Sequence, residues 1–254
     1  MIKVPVLVIN LKNDTKRLSL ITQRLEDCEI PFTRISGVVG RGLSDSEVYK
    51  YYDPSLNRAT YRRPLTLGEI GCYLSHIKCW SYIVDNNFPV TLILEDDAEF
   101  CENLRDVIVA IQNLDLCFDL IKAGRPPKPK RIIDSKPLND LYDIVKYRKI
   151  PNNAVGYFIS LDGARKLITT RHKFGRPVDD DMQFWWEYKG DVMGIDPYPV
   201  WPGEQSKLSS IGNRKIAKFK WFLFKGPILR ARYECNVLVH RFFDRSYFSK
   251  KWRL

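Results

Sequence analysis

The sequence predicts an α/β fold in which a central, mostly parallel β-sheet is flanked by helices. Apolar segments typical of buried strands alternate along the chain with segments of helical periodicity, and this order favours parallel strands joined by crossover helices. The chain has 254 residues, 44% of them hydrophobic, which suffices for one such domain or for two closely packed subdomains. No apolar run is long enough to span a bilayer, which takes roughly 18 residues or more.

The first strand and the first helix are predicted near the N-terminus. Residues 4–10, VPVLVIN, form a short apolar run rich in β-branched residues. A helix follows, with apolar residues at helical spacing: Leu18, Ile21 and Leu25. Asp14 is its predicted N-cap. Lys16 and Arg17 fall in the first turn, where the helix dipole disfavours positive charge, so either a bound phosphate compensates them or they are solvated at a cost of about 0.3–1 kcal/mol each.

A second helix is predicted from residue 66 onward. Thr66 and Glu69 form a T-x-x-E capping box, and one face is apolar: Ile70, Leu74, Ile77, Ser81 and Val84. The flank beside this stripe could border a cleft and carries four larger side chains: Glu69, Tyr73, His76 and Trp80. A lone histidine in such a place is either a catalytic group or a hydrogen-bonded structural residue.

The third predicted element is a strand that runs into three carboxylates. Residues 90–94, VTLIL, suit a buried strand and are followed at once by Glu95, Asp96 and Asp97. Because side chains alternate along an extended chain, Glu95 and Asp97 are expected on one side and Asp96 on the other. Ligands collect at the carboxyl ends of such strands, so the first pair would share a hard cation that also binds phosphate oxygens. Alternatively, the acids cap the next helix.

Further elements are predicted beyond the acidic segment. A helix is expected around residues 102–114, a strand in residues 118–124 (FDLIKAG), and a strand at 155–161 followed by a helix that begins near Asp162. Residues 125–137, RPPKPKRIIDSKP, read as a basic, proline-rich loop, which is either a mobile lid or a surface excursion.

A second acidic cluster lies in residues 176–186, RPVDDDMQFWW. The acids Asp179, Asp180 and Asp181 precede Trp185 and Trp186. Carboxylates beside tryptophans suit a polar ligand with an apolar face, such as a sugar. The alternative is a helix N-terminus at which Asp179 is the cap and the following acids interact with the dipole.

The positive charge of the chain is concentrated at its C-terminus. Residues 214–254 contain 12 Lys or Arg and 2 Asp or Glu, a net of +10 against +11 for the whole chain. Basic and aromatic residues alternate there, which suits an anionic membrane surface, although a basic tail packed on the body is the alternative. No nucleic-acid-binding motif accompanies the tail. The predicted division is therefore a domain of residues 1–213 and a basic aromatic tail of residues 214–254.

Cysteine spacing and the N-terminus bear on the compartment. The six cysteines form no C-x-x-C pair or other zinc spacing, so we expect reduced, structural thiols. No basic and apolar leader is present. The expected location is cytoplasmic, peripheral on the inner face of the cytoplasmic membrane.

Four segments together resemble glycosyltransferase family 25, the lipopolysaccharide and lipooligosaccharide galactosyltransferase type that includes collagen galactosyltransferase domains. In chain order they are VINLKNDTKR, RPLTLGEIGCYLSHIKCW, LILEDD and RPVDDDM, within about residues 4–185. The joint occurrence of the L-T-x-G-E-I-G-C-x-L-S-H segment and the E-D-D strand end is the specific part of the resemblance.

The resemblance implies a GT-A type nucleotide-sugar-binding fold and an inverting transfer, usually from UDP-galactose, with a divalent ion, typically Mn²⁺ or else Mg²⁺, at the E-D-D segment. Asp97 and Glu95 would be the metal ligands, and Asp179 or Asp180 the base. The donor would contact the remaining candidates together with Glu95: Asn10, Lys16, Arg17, Glu69, His76 and Asp96.

The predicted function is thus a metal-dependent hexosyltransferase that uses a UDP-sugar and a glycolipid-borne saccharide acceptor of lipopolysaccharide or lipooligosaccharide. The alternative is a non-enzymatic membrane-surface binding protein whose acidic clusters are structural. A metal-dependent phosphotransferase or nuclease is disfavoured, because the sequence contains no G-x-x-x-x-G-K-[ST], H-E-x-x-H or G-x-G-x-x-G motif.

Overall fold

The structure, a computed structural model, describes residues 2–204 and 221–251, with the side chains of 221–224 and 244–251 left out. The strands are β1 (Val6–Asn10), β2 (Thr33–Ser36), β3 (Val90–Glu95), β4 (Ala98–Phe100), β5 (Leu120–Lys122), β6 (Ile132–Pro137), β7 (Asp143–Tyr147), β8 (Gly156–Ser160), β9 (Val192–Asp196) and β10 (Val200–Pro202). The helices are α1 (Thr15–Asp27), α2 (Asp45–Tyr51), α3 (Pro54–Thr60), α4 (Leu67–Asp85), α5 (Leu104–Gln112), α6 (Leu161–Thr170), α7 (Val178–Asp181) and α8 (Trp221–Lys251), with a 3₁₀ turn at Gly40–Gly42.

Eight of the strands form one mixed sheet in the order β2-β1-β3-β8-β5-β9-β7-β6. Parallel pairing joins β1 to β2, β1 to β3 and β5 to β9, whereas β8 and β7 pair with their neighbours in antiparallel fashion. Among the described residues, six of the eight strands therefore run in the same direction, and their carboxyl ends share one edge. The predicted α/β fold with a mostly parallel sheet is confirmed at this level.

Helices cover both faces of the sheet, because the apolar residues of its strands alternate between two cores. On β1 and β3, Leu7 and Ile93 face one core, which α4 and α6 complete. Val8 and Leu94 face the other core, which contains Ile21 and Leu25 of α1 and the apolar residues of α5. The arrangement is a three-layer α/β structure. In such structures ligands typically bind at the edge where the carboxyl ends of the strands lie.

Two helix starts form as the local sequence predicts. The Asp14 side chain accepts a hydrogen bond from the backbone N–H of Arg17 at 3.3 Å and caps α1. The hydroxyl of Thr66 accepts from the backbone N–H of Glu69 at 3.2 Å. The Glu69 carboxylate in turn accepts from the backbone N–H of Thr66 at 2.9 Å, which completes the capping box of α4. These caps satisfy N–H groups that have no partner within the helix.

One further local prediction needs correction and another is confirmed. The second half of the predicted basic loop is strand β6, which pairs with β7; it is mostly exposed and lacks an apolar alternation, so its sequence carries little strand signal. The helix predicted to begin near Asp162 is confirmed as α6, which begins at Leu161; the Ser160 hydroxyl caps it by accepting from the N–H of Gly163 at 3.0 Å.

The C-terminal helix α8 packs on the body through an aromatic cluster. Val237 is completely buried, the His240 ring stacks on Trp186 with centroids 5.2 Å apart, and Arg241 lies 4.2 Å from the ring centre of Trp185. Trp185 and Trp186 therefore contact α8, so the interpretation of these tryptophans as an apolar platform for a sugar is corrected. The predicted boundary between residues 213 and 214 lies outside the described residues.

Two further expectations are met within the described residues. All six cysteines are free thiols. Within residues 2–204 and 221–251, none of the helices combines the length and the apolar composition that crossing a bilayer requires.

Candidate functional site

A cleft of about 320 Å³ opens at the carboxyl ends of β1 and β3, as expected for a sheet of this kind. Its walls come from the end of β1, the start of α1, the loop before α2, the first turns of α4 and the acidic segment after β3. The lining residues are Ile9, Leu11, Asp14, Arg17, Val38, Val39, Gly40, Arg41, Gly68, Cys72, Ser75, His76, Glu95, Asp96 and Asp97.

Glycines bring one wall of the cleft close to α4. A Cβ atom on Gly40 would lie 1.7 Å from the backbone oxygen of Leu67, and one on Gly71 would lie 2.5 Å from the backbone oxygen of Val38. Neither position accommodates a side chain without a shift of the backbone. The loop therefore contacts the start of α4 main chain to main chain, which narrows the cleft.

Asp96 is held on the side of α1. The Asn10 amide donates to Asp96 Oδ2 at 2.8 Å, and Arg17 Nη1 lies 3.2 Å from Asp96 Oδ1. Burial raises the pKa of Asp96, and the contacts with Asn10 and Arg17 oppose that rise. Arg17 also pairs with Asp14 at 3.4 Å, so carboxylates already compensate its charge in the first turn of α1. Lys16 is exposed and is not among the residues that line the cleft.

Asp97 is the least satisfied acid of the segment. Burial and the neighbouring charge of Glu95 raise the pKa of Asp97 to about 7. Its Oδ1 atom is buried and has no hydrogen-bond partner among the described residues. A buried carboxylate oxygen without a donor, close to a second carboxylate, is unfavourable unless a cation binds there. Oxygen ligands of this kind suit a hard divalent ion.

Glu95 is positioned by a chain of buried side chains. His76 Nε2 lies 3.3 Å from Glu95 Oε1, and His76 Nδ1 lies 2.8 Å from the hydroxyl of Tyr157. Trp80 Nε1 donates to that hydroxyl at 2.9 Å. If the Tyr157 hydroxyl donates to Nδ1, then His76 donates through Nε2 to Glu95, and every donor is used. His76 thus orients a site carboxylate, whereas Trp80 is fully buried and does not border the cleft.

Cys72 joins this group, although the sequence analysis did not single it out. The ligand atoms of Cys72, His76 and Glu95 all lie within 4.8 Å of one another. Burial and the acidic neighbours raise the pKa of the Cys72 thiol well above its usual value, so the thiol is protonated and is a poor metal ligand. The signal in the sequence was its position one helical turn before His76.

The second acidic cluster contains one structural carboxylate, Asp181, and two that the arginines do not hold, of which Asp180 accepts from Gln183 at 3.1 Å. Asp181 is buried and its oxygens are engaged by three side chains: Tyr73 at 2.6 Å, Arg171 at 2.6 Å and Arg176 at 2.8 Å. Burial and the charge of Asp180 raise the pKa of Asp179 to about 7, with a further contribution from Glu95. Helix α7 is preceded by Pro177 and has no side-chain cap, so the alternative in which Asp179 is a capping residue does not apply.

Lys122 supplies a cation between the two acidic clusters. It ends β5, is completely buried, and donates through Nζ to the backbone oxygen of Asn153. Burial lowers its pKa to about 8, while Asp179 and Glu95 act to raise it. Lys122 is not among the site residues predicted from the sequence, although a lysine inside the apolar run of a predicted strand indicates a buried anionic partner.

Glu69 serves the start of α4 rather than the cleft. Its two carboxylate oxygens accept from Arg63 at 2.5 and 2.8 Å, and it caps the helix with Thr66. Burial pushes the pKa of Glu69 upward, but the bonds from Arg63 and Thr66 outweigh it and lower the value. Four of the residues predicted to contact the donor line the cleft: Arg17, His76, Glu95 and Asp96. Asn10 does not line it but donates a hydrogen bond to Asp96, which does.

Comparison with known proteins adds an independent observation. Residues 3–182, which include both acidic clusters, match the family model described as glycosyltransferase family 25 (LPS biosynthesis protein). The chain is 31% identical over 186 residues to procollagen galactosyltransferase 2 of Mus musculus, covering 69% of this chain and 29% of that protein.

Other relatives give the same result. Procollagen galactosyltransferase 1-B of Xenopus laevis is 33% identical over 192 residues, covering 69% of this chain and 30% of that protein. A glycosyltransferase 25 family member of Drosophila melanogaster is 31% identical over 173 residues, covering 65% and 28%. The chain thus spans less than a third of the length of these curated relatives.

Proposed function

The chain belongs to glycosyltransferase family 25, and we propose that it transfers a hexose, in the first instance galactose, from a UDP-sugar to a saccharide acceptor of lipopolysaccharide or lipooligosaccharide. The description of the family model supports the lipopolysaccharide acceptor. The names of the procollagen galactosyltransferases support galactose. An α/β sheet with an acidic segment at the carboxyl ends of its strands supports a GT-A type nucleotide-sugar-binding fold.

The observation that carries the proposal is the state of Asp97. Its buried Oδ1 has no hydrogen-bond partner among the described residues, and Glu95 adds a second negative charge close by. These two residues would hold Mn²⁺ or Mg²⁺, since both supply hard oxygen ligands. When bound, such an ion neutralises charge on the departing nucleotide diphosphate.

The remaining residues of the site have separable roles. Asn10 and Arg17 hold Asp96 at the cleft wall, and His76 orients Glu95. In a one-step inverting displacement the acceptor hydroxyl attacks from the face opposite the leaving group, so a carboxylate apart from the donor site must take its proton. We assign this role to Asp179, whose pKa of about 7 suits a base at neutral pH, with Asp180 as the alternative.

A release assay tests the proposal. Purified chain is incubated with a panel of UDP-, GDP- and CMP-sugars, with and without core oligosaccharide, and with Mn²⁺ or a chelator. We expect nucleotide release from UDP-galactose that depends on metal and rises with acceptor, and an inverted anomeric linkage in the product by NMR. Absence of UDP binding in calorimetry with Mn²⁺ would favour the non-enzymatic alternative, a membrane-surface binding protein.

Membrane association is the second part of the proposal. Five large apolar side chains of α8 are at least half exposed: Ile228, Leu238, Val239, Phe242 and Phe243. At about 100° per residue they lie around the side of the helix that faces away from the buried Val237. An outward apolar face on a segment of net charge +10 suits a helix that lies in an anionic lipid surface. The expected location is the cytoplasmic face of the membrane that carries the glycolipid acceptor.

A further inference from the structure

A basic loop leaves the sheet at the edge where the acidic clusters lie. The loop of residues 125–131 leaves the carboxyl end of β5, the edge of the sheet at which the acidic clusters lie, and it contains Lys128 and Lys130. Two bonds fix its ends: the Asn153 amide donates to the backbone oxygen of Arg125 at 2.6 Å, and the backbone N–H of Arg148 donates to that of Arg131 at 2.9 Å. The loop is therefore anchored to the body at both ends.

Two lysines lie just beyond the end of the ladder formed by β6 and β7. Ile132 pairs with Tyr147 in the antiparallel ladder of β6 and β7, and the bond between Arg131 and Arg148 continues it. Lys130 and Lys149 each lie two residues beyond this ladder pair, and the charge of Lys149 acts on Lys130. Like charges near one another are unfavourable, so an anion bound here would stabilise them.

The surrounding groups leave part of this charge uncompensated. Lys149 forms an ion pair with Glu234 of α8, whereas no hydrogen bond or ion pair of Lys130 is found among the described residues. Lys130 is half-buried and Lys128 is exposed. Burial lowers the pKa of Lys130, Lys149 and Lys128 lower it further, and the carboxylate of Asp180 opposes them. The charge of Asp180 thus acts on Lys130 and also on Arg63.

We propose that Lys128 and Lys130 bind an anionic group of the acceptor, a phosphate or a carboxylate, and thereby place its hydroxyl at the carboxylates of α7. The inference rests on the proposed function. The donor cleft has its own cations, Arg17 and Arg41, and neither lysine lines it. The loop that carries the lysines leaves β5 shortly after Lys122, whose Nζ atom lies 3.7 Å from Met182 Sδ at the end of α7, so their ligand approaches from the side of the proposed base. A half-buried lysine gains a charge-assisted hydrogen bond from such a ligand.

Matched acceptors separate the sources of the anion. Transfer from UDP-galactose is measured with native core oligosaccharide, with the same material dephosphorylated, and with the same material carboxyl-reduced. We expect KM to rise about tenfold or more in one of the two treated preparations, as the loss of one charge-assisted contact predicts. The preparation affected identifies phosphate or carboxylate.

Variants of the two lysines test whether they cause the predicted difference in KM between native and treated acceptors. Lys130→Gln and Lys128→Gln should raise KM for the native acceptor with little change for the treated one, and should leave UDP affinity in calorimetry unchanged. Lys173→Gln is the matched control, since Lys173 is exposed beside Asp53, away from the cluster. A lysine variant that loses UDP binding would overturn the inference, because the lysines would then contact the donor diphosphate.

Failure of the inference differs from failure of the proposed function. Equal KM for native, dephosphorylated and carboxyl-reduced acceptors in an active enzyme would refute the anionic acceptor and leave the transferase activity standing. If none of the acceptors is used, calorimetry of the UDP-loaded chain with glucose 6-phosphate, with glucuronate and with glucose decides: Lys130-dependent binding of either anion but not of glucose supports the inference, and binding of neither anion refutes it. No release of UDP from any sugar would refute the proposed function.

Discussion

At the scale of single residues, the site depends on carboxylates that are buried near one another. Burial and adjacent charge raise the pKa of both Asp97 and Asp179 to about 7, and Glu95 contributes to each rise. Lys122 is the buried cation that offsets part of this charge. Such clusters are unfavourable for stability and are typical of functional sites, where the ligand supplies the missing compensation.

The first prediction concerns Asp97. Asp97→Asn keeps the size of the side chain but removes a charge from the pair that would hold the divalent ion. We expect kcat/KM to fall at least about 100-fold, since several kcal/mol of charge stabilisation would be lost, with metal-dependent UDP binding lost as well. Calorimetry and a UDP-release assay measure both. Asp162→Asn, at an exposed position on α6, is the control; full activity of metal-stripped wild-type protein would contradict the prediction.

The second prediction concerns Asp179. Asp179→Asn should reduce transfer by about 10²–10⁴-fold, the range for loss of a general base, while UDP still binds with metal. It should also stabilise the protein at pH 8. Because the folded pKa of Asp179 is raised, its cost to stability grows as pH rises from about 4 to about 7 and is complete above that. The gain measured by denaturant unfolding should therefore vanish near pH 4; retained turnover would move the base elsewhere.

The third prediction uses the charges around Asp179. The acid limb of kcat/KM should report ionisation of Asp179 in the free enzyme. Asp180→Asn removes a negative neighbour that raises this pKa, so the limb should move to lower pH. Lys122→Met removes a positive neighbour that lowers it, so the limb should move to higher pH. Shifts in the same direction for both variants, or none, would show that another group controls the limb.

At the scale of elements, local signals were predicted well and long-range partners were not. The capping box of Thr66 and Glu69 and the Asp14 cap lie within four residues of sequence, where spacing alone fixes the geometry. The bond between Asn10 and Asp96 joins residues 86 positions apart, and only the parallel pairing of β1 with β3 brings them together. The sequence placed both at strand ends but not in contact.

Other elements escaped the sequence because their context decides them. Strand β6 is mostly exposed and is recognised only by its partner β7. The sequence suggests that Trp186 binds a ligand, whereas in the structure the ring of His240 stacks on it. Lys122 stands in an apolar run, and its buried position follows from β8 and β9 on either side of β5. In each case the missing information was a neighbour distant in sequence.

The fourth prediction belongs to helix α8. Replacing Phe242 and Phe243 together by serine removes two rings from the outward face, which are 74% and 67% exposed. Binding to phosphatidylglycerol-containing vesicles should weaken at least about tenfold, since each buried ring contributes on the order of 1.5–3 kcal/mol. Sedimentation measures it, with Leu141→Ser, at an exposed apolar position on the body, as control. Unchanged binding, or a wild-type protein that dimerises through this face, would exclude the membrane role.

At the scale of the whole molecule, charge and apolar surface are distributed unequally. The first 213 residues carry 29 basic and 28 acidic side chains, so they are nearly neutral, and the remaining residues carry the net charge. Yet the described part of the C-terminal region contributes to the body as well, through Val237 and through Tyr233, whose ring packs edge-on against Phe184. One helix thus has an inner face that packs on the body and an exposed apolar outer face, which is the proposed membrane-binding surface.

The last prediction separates these two faces. Val237→Asp places a charge in the contact between α8 and the body, and should lower the free energy of unfolding by about 3 kcal/mol or more. Phe242→Asp makes the same chemical change on the outer face and should leave unfolding nearly unchanged while vesicle binding falls. Deleting residues 205–254 should act like Val237→Asp, because Trp185 and Trp186 lose the contacts with Arg241 and His240. Thermal and denaturant unfolding measure all three proteins against the full chain. A truncated chain as stable as the intact one, still able to bind UDP with metal, would instead make the C-terminal region a separate attachment to a self-sufficient domain.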